Sequence, residues 1–444
     1  MRCWSRVGIA VLVPALIAAA IAAPAAGALP AAAPVRATAG APARVAVPAT
    51  WTPQAPLSAP DFAADDHFAQ VVISVSGTTA IVGAPGKTVG GQVGAGAAYV
   101  FVDNGSGWTY EAELTASDAA AGDAFATSIS TTKDGSTVVV GAPLKSVAGK
   151  PKAGAAYVFT RSGTTWTQKA ELTGAPAGRG NQFGASVGIN GGGALVAAGA
   201  PVRTIAGHRR AGAAYVFRRI GQLWNQTAFL TPSDGAANDR FGWAIAVKER
   251  QVIVSSPFHA NADGSSGTVY GFEDPTGTYE QKTVLTAGDG KADDRFGWSL
   301  DTSIATMVIG APNHVVGTTH EGAAYVFTHN DRTGIWTPRT ELTPADGQVG
   351  DNFAIAVAIS GTVVIVGDTL HDIGPNSAQG VAYVYTGASS AWTQQAELTA
   401  ADGTTNTEFG QFVAASTTAV MVGEPQHEVG GLTGAGQVDV FLSS

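Results

Sequence analysis

The chain has 444 residues, with 25 Lys and Arg against 34 Asp and Glu, and a single cysteine, Cys3. A net charge of −9 leaves no basic face for nucleic acid or for an anionic membrane surface. One thiol allows no disulfide within the chain, so the core has to be stable without a covalent cross-link.

In chain order, the first predicted element is a secretory signal peptide over residues 1–28. Arg2 and Arg6 give it a positive start, residues 7–23 are apolar, and Ala26-Gly27-Ala28 offers a small-residue cleavage site. The apolar run is short for a membrane span and carries Gly8 and Pro14. Its removal leaves a secreted chain with no membrane span, 23 basic and 34 acidic side chains, and a net charge of −11. Residues 29–50, rich in Ala, Pro, Val, Thr and Arg, can bury little and read as a disordered leader.

From residue 51 to 444 one pattern fills the chain. Its anchors are Phe68, Phe125, Phe183, Phe241, Phe296, Phe353 and Phe409, separated by 57, 58, 58, 55, 57 and 56 residues. A leucine stands eleven residues before each, from Leu57 to Leu398, and an aromatic six residues before that, from Trp51 to Trp392. Spacing this regular is one structural unit copied in space. In the unit after Phe125, residues 125–130 are small and alternating, 137–140 are a β-branched run, 155–159 read as a third strand and 166–172 as a fourth. Four short strands with glycine-rich turns and no helical period predict a four-stranded blade. The prediction is therefore an all-β fold, a seven-bladed β-propeller of four-stranded blades. Residues 51–57 have no blade of their own and the last unit lacks a fourth strand. Closure by the N-terminal strand completing the last blade removes both open edges.

The Phe-Gly anchor followed by Gly-Ala-Pro resembles the FG-GAP repeat of the integrin alpha-subunit head, here in a secreted, bacterial-type form. Gly-Ala-Pro is intact at 83–85, 141–143, 199–201 and 310–312, and degraded at 255–257, 367–369 and 423–425. The resemblance implies a propeller over nearly the whole mature chain. The family's calcium loop, Asp-x-Asp-x-Asp-Gly between first and second strands, is missing. Those hairpins read Ser76-Gly77-Thr78, Lys133-Asp134-Gly135 and Gly191-Gly192-Gly193, too poor in carboxylates for a hard cation. No metal and no cofactor are expected.

Long links join strand two to three and strand four to the next blade, and they fall on one rim. An acidic ring lies there: Asp61 and Asp66, Asp118 and Asp123, Asp234 and Asp239, Asp289 and Asp294, Asp346 and Asp351. Blade three has Pro176 and Asn181 instead, and blade seven keeps only Asp402. Copying in almost every blade favours turn chemistry over an active site, which needs asymmetry. A basic ring follows at Lys87, Lys145, Arg203, His259, His314, His371 and His427. It reads either as a rim site for anionic ligands or as local ion pairs to the Asp loops. Zinc shared among the four histidines is disfavoured, because equivalent positions in adjacent blades diverge.

Blades four and five depart from the repeat. Both read Asp-Arg-Phe-Gly-Trp, placing Arg240 with Trp243 and Arg295 with Trp298. These residues are either a stacking clamp for an acidic sugar or peptide, joined by His259 and His314, or packing between blades. Gly207-His208-Arg209-Arg210 is a local basic spot that reads as solvated. No His-Glu-x-x-His, phosphate loop or cysteine nucleophile is present. The expectation is a monomeric, non-enzymatic binding or adhesion module for an extracellular protein or glycan. The alternatives are an extracellular glycan-acting enzyme with its site at the channel mouth, and a structural surface protein.

Overall fold

The computed structural model describes residues 50–443 apart from 70–72, 275–276, 304 and 318. The expected signal peptide, and the leader up to residue 49, lie outside the described residues. Those described form seven four-stranded antiparallel sheets, a two-stranded ribbon of Val315–Val316 with Thr319–His320, and no helix, so none of their elements is a helix able to cross a membrane. Blade two is representative: Ser128–Thr131, Thr137–Ala142, Ala155–Ser162 and Thr165–Leu172 pair in sequence order.

Burial follows the sequence pattern. The second strand, Thr137–Ala142, is buried at every position, and its valines each contribute about 1.5–3 kcal/mol of apolar burial. The outer strand, Thr165–Leu172, alternates between exposed and half-buried until Leu172 closes it. Its pairing with the third strand shifts register between Val158 and Phe159, a bulge repeated in every blade from one to six.

The Phe-Gly and Gly-Ala-Pro motifs are two halves of one blade-to-blade contact. A Cβ on Gly141 of blade two would lie 2.0 Å from the Gly184 carbonyl oxygen of blade three. One on Gly154, at φ +86°, would lie 2.0 Å from the Phe183 carbonyl oxygen. Only glycine lets the next blade's anchor backbone come so close. The anchor rings themselves are sealed, as Phe125 is against Tyr157 and Phe159 at 5.5 and 6.0 Å.

Closure is observed as expected. Trp51–Pro53 pairs with Gln437–Ser443, Trp51 opposite Ser443 and Pro53 opposite Phe441, and Leu57 bridges to Val438. Gly436 of blade seven receives the Phe68 carbonyl of blade one as Gly154 receives that of Phe183. One apolar cluster joins Ala80, Val82 and Tyr99 of blade one to Met421, Val438 and Val440 of blade seven. The inner strands run in a ring, with Ile73–Ser76 packed on Phe412–Ala415.

Candidate ligand-binding site

The acidic and basic rings meet within each blade. In blade one, Lys87 Nζ lies 3.0 Å from Asp61 Oδ2 and 3.0 Å from Asp66 Oδ2. Tyr99 Oη donates to Asp61 Oδ1 at 2.8 Å, and the Ala63 amide donates to Asp66 Oδ2 at 2.8 Å. Burial works against the ammonium, but its hydrogen bonds to Asp66 and Asp61 hold Lys87 above its ordinary pKa. Blade two repeats the node with Lys145, Asp118, Asp123 and Tyr157. Histidine replaces lysine further on. His259 Nδ1 is 2.8 Å from Asp239, His314 Nδ1 2.7 Å from Asp294, and His371 Nδ1 2.9 Å from Asp351. His427 turns to Glu424 at 3.0 Å. In blade three, where the acids are missing, Arg203 stacks on Tyr215 and Phe229 and donates to the Pro176 carbonyl. Each of the seven basic residues therefore faces the loop or the tyrosine of its own blade, and they do not converge.

The seam between blades four and five is different. Trp243, two residues before the inner strand Ile245–Lys248, packs on Trp298 with ring centroids 4.8 Å apart. Phe258 completes the cluster at 5.6 Å from Trp243 and 6.1 Å from Trp298. Two guanidiniums stand on these rings. Arg240 lies 4.6 Å from Phe258 and 5.5 Å from Trp243, and Arg295 lies 5.7 Å from Phe258 and 5.3 Å from Trp298. Arg240 is only 8% exposed, Trp298 is buried, and Trp243, Phe258 and Arg295 are half-buried. Among the described residues no ion pair is made by either guanidinium. Burial first, and then Arg210 and Arg295, push Arg240 below its ordinary pKa. Burial does the same to Arg295, partly offset by Asp293. His259 and His314, expected in the same patch, instead hold Asp239 and Asp294.

Phe258 was not among the expected residues. Its column holds Gly86, Leu144, Val202, Asn313, Leu370 and Gln426 in the other blades, and a lone aromatic there was the available signal. The residue after the Gly of Gly-Ala-Pro also departs from the repeat. Blades six and seven place Asp368 and Glu424 there, both 0% exposed. Burial, and then Asp351, raises the Asp368 pKa to about 7. On the opposite rim, between blades five and six, a cleft of about 410 Å³ is lined by Thr306, Thr328, His329, Asn330, Arg339 and Trp392. It offers no carboxylate pair for glycan hydrolysis.

Fold and rim together define a closed seven-bladed propeller built from one repeat. The chain belongs to the FG-GAP repeat family, which it matches at residues 51–101, 108–159, 166–217, 224–272, 279–327, 336–385 and 392–441. Each matched unit opens on one blade's outer strand and ends on the third strand of the next. Among curated proteins none matches the sequence. The WD40 repeats of RRP9 are similar with a TM-score of 0.54 at 10% identity, over 88% of this chain and 97% of that one. A chain of a mitotic checkpoint complex gives 0.48 at 13% identity, over 92% and 99%. At 10% identity the likeness to RRP9 is one of fold alone.

Proposed function

We propose that this chain is a secreted binding module, and that the seam of Arg240, Trp243, Phe258, Arg295 and Trp298 takes a carboxylate-bearing ligand, an acidic sugar or an acidic peptide. The observation that carries the reading is a pair of guanidiniums stacked on three aromatic rings, neither of them in an ion pair among the described residues. Burying like charges together is costly unless a partner of opposite charge arrives. Arginine presents a planar fork that fits a carboxylate, and the rings add apolar area for a sugar face or side chain. That FG-GAP repeats are in general extracellular, together with the expected signal peptide, supports secretion. Adhesion through acidic glycans is the role this chemistry suits.

An array of acidic glycans and acidic peptides, probed with the mature chain, tests the reading. Binding should fall as salt rises, since the approach of a charged ligand through solvent is screened beyond about 8 Å at physiological ionic strength. Arg240→Gln with Arg295→Gln should abolish it while leaving the fold intact. Retained binding by that double variant sinks the assignment.

A further inference from the structure

Blade six carries one more buried carboxylate than its node can neutralise. Blades one to three and five put alanine after the glycine of Gly-Ala-Pro, at Ala84, Ala142, Ala200 and Ala311, and blade four puts Ser256. Blade six puts Asp368 there, with no exposed surface. Its Oδ1 accepts the Asn352 amide at 2.9 Å, but its Oδ2 is sealed from solvent and has no hydrogen-bond partner. An unpartnered buried carboxylate oxygen calls for an explanation. Asp351 and His371 lie beside it, 7% and 3% exposed, and the three ligand atoms lie within 4.8 Å of one another.

The geometry points to a site for a divalent transition metal of the zinc class, held by Asp351, Asp368 and His371. One imidazole nitrogen and two carboxylate oxygens are a donor set that zinc accepts at about 2.0–2.2 Å, with water in the fourth position. Ligands on such a metal stand about 3.4 Å apart, so modest side-chain movement closes the site. Calcium fits less well, because it takes six to eight oxygens. The surroundings suit a bound imidazole. His371 Nε2 faces Gln348 Nε2 at 3.1 Å and Asp346 Oδ2 at 3.7 Å, groups that can orient a ring bound through Nδ1, and Tyr383 Oη fixes Asp346 by donating to its Oδ1 at 2.9 Å. All three ligands come from one blade, so the divergence of equivalent positions between blades does not matter.

The other two groupings of this kind are less complete. In blade five, Asp289 and Glu341 are largely exposed. In blade seven, Asp402 is exposed and Glu424 pairs with Asp439.

The test uses the full mature chain, stripped of metal with chelator and titrated with cobalt(II) and then with zinc. Visible cobalt bands that zinc bleaches, and a wild-type melting temperature that rises with excess zinc, are expected. Asp368→Asn keeps the volume, removes the charge and should weaken zinc binding at least about 100-fold. Asp402→Asn in blade seven should leave it unchanged. Wild-type protein that binds no cobalt or zinc overturns the proposal, as does Asp368→Asn protein with wild-type zinc affinity. A variant that fails to fold leaves the decision to the wild-type titration.

Discussion

In blades one and two a buried lysine meets two aspartates, one of them held by a tyrosine hydroxyl and the other by a backbone amide. At the seam of blades four and five, a buried and a half-buried arginine stack on aromatic rings and form no ion pair among the described residues. Both regions place cations on the same rim, and both derive from the same repeat. The first closes its charges internally and gives the loop a fixed shape. The second leaves charge open, together with aromatic surface. In a repeat protein the copied polar residues are therefore framework, and a site is to be sought where copying stops.

The largest expected effect separates the two directly. Lys145→Ala leaves Asp123, itself buried, without its cation and should cost about 3–5 kcal/mol in denaturant unfolding. Arg240→Gln removes a cation that has no carboxylate partner. It relieves repulsion from Arg210 and Arg295 and gives up a cation–π contact, so stability should move by no more than about 1–2 kcal/mol. Equal destabilisation by the two variants would erase the distinction and make the seam part of the framework.

The framework was legible in the sequence because it is written seven times. Anchor spacing gave the blade count, and the unmatched segment 51–57 gave the closure seen between Trp51–Pro53 and Gln437–Ser443. The acidic pairs read as loop chemistry, but nothing local points to their partners Tyr99, Tyr157, Tyr270, Tyr325 and Tyr383, which lie some 36 to 39 residues away in sequence. Arg240, Trp243, Arg295 and Trp298 stood out as a local departure, and the structure adds Phe258 from a different link. His259 and His314 read as neighbours of that patch, yet side-chain direction turns them to Asp239 and Asp294. Asp368 and Glu424 looked like decay of a motif. What they do depends on whether a partner faces them, and that is set by packing.

Blade seven sharpens the comparison, because there two carboxylates face each other. Asp439 occupies the position of the tyrosines and faces Glu424, which occupies that of the alanines. Burial first, and then Glu424, raises the Asp439 pKa to about 9. Its unfolded value is near 3.9, so between about pH 4 and 9 the folded state holds more protons than the unfolded one. Stability should therefore fall as pH rises through that window. Asp439→Asn removes the dependence. It should raise the melting temperature at pH 9, and the gain should vanish below about pH 4. A constant difference across that range would show that the pair is not sharing a proton.

The smallest expected effect is on the far rim, where the family's calcium loops would lie. The hairpin of blade two has one carboxylate, Asp134, and its oxygens are already taken by Thr132 Oγ1, the Ser136 amide and Ser136 Oγ. That arrangement is a closed Asx-type turn, and it lowers the Asp134 pKa through the Thr132 hydroxyl first. A calcium ion would need six or more oxygens and would have to break those bonds to gain one carboxylate. A ligand bound at a hundredfold excess over its Kd adds about 2.7 kcal/mol, well within the reach of a melting curve. Added calcium should therefore leave the melting temperature where it is, in wild type and in Asp368→Asn alike. A rise of several degrees in both would place metal-dependent stiffness in the hairpins and return the repeat itself to the list of functional parts.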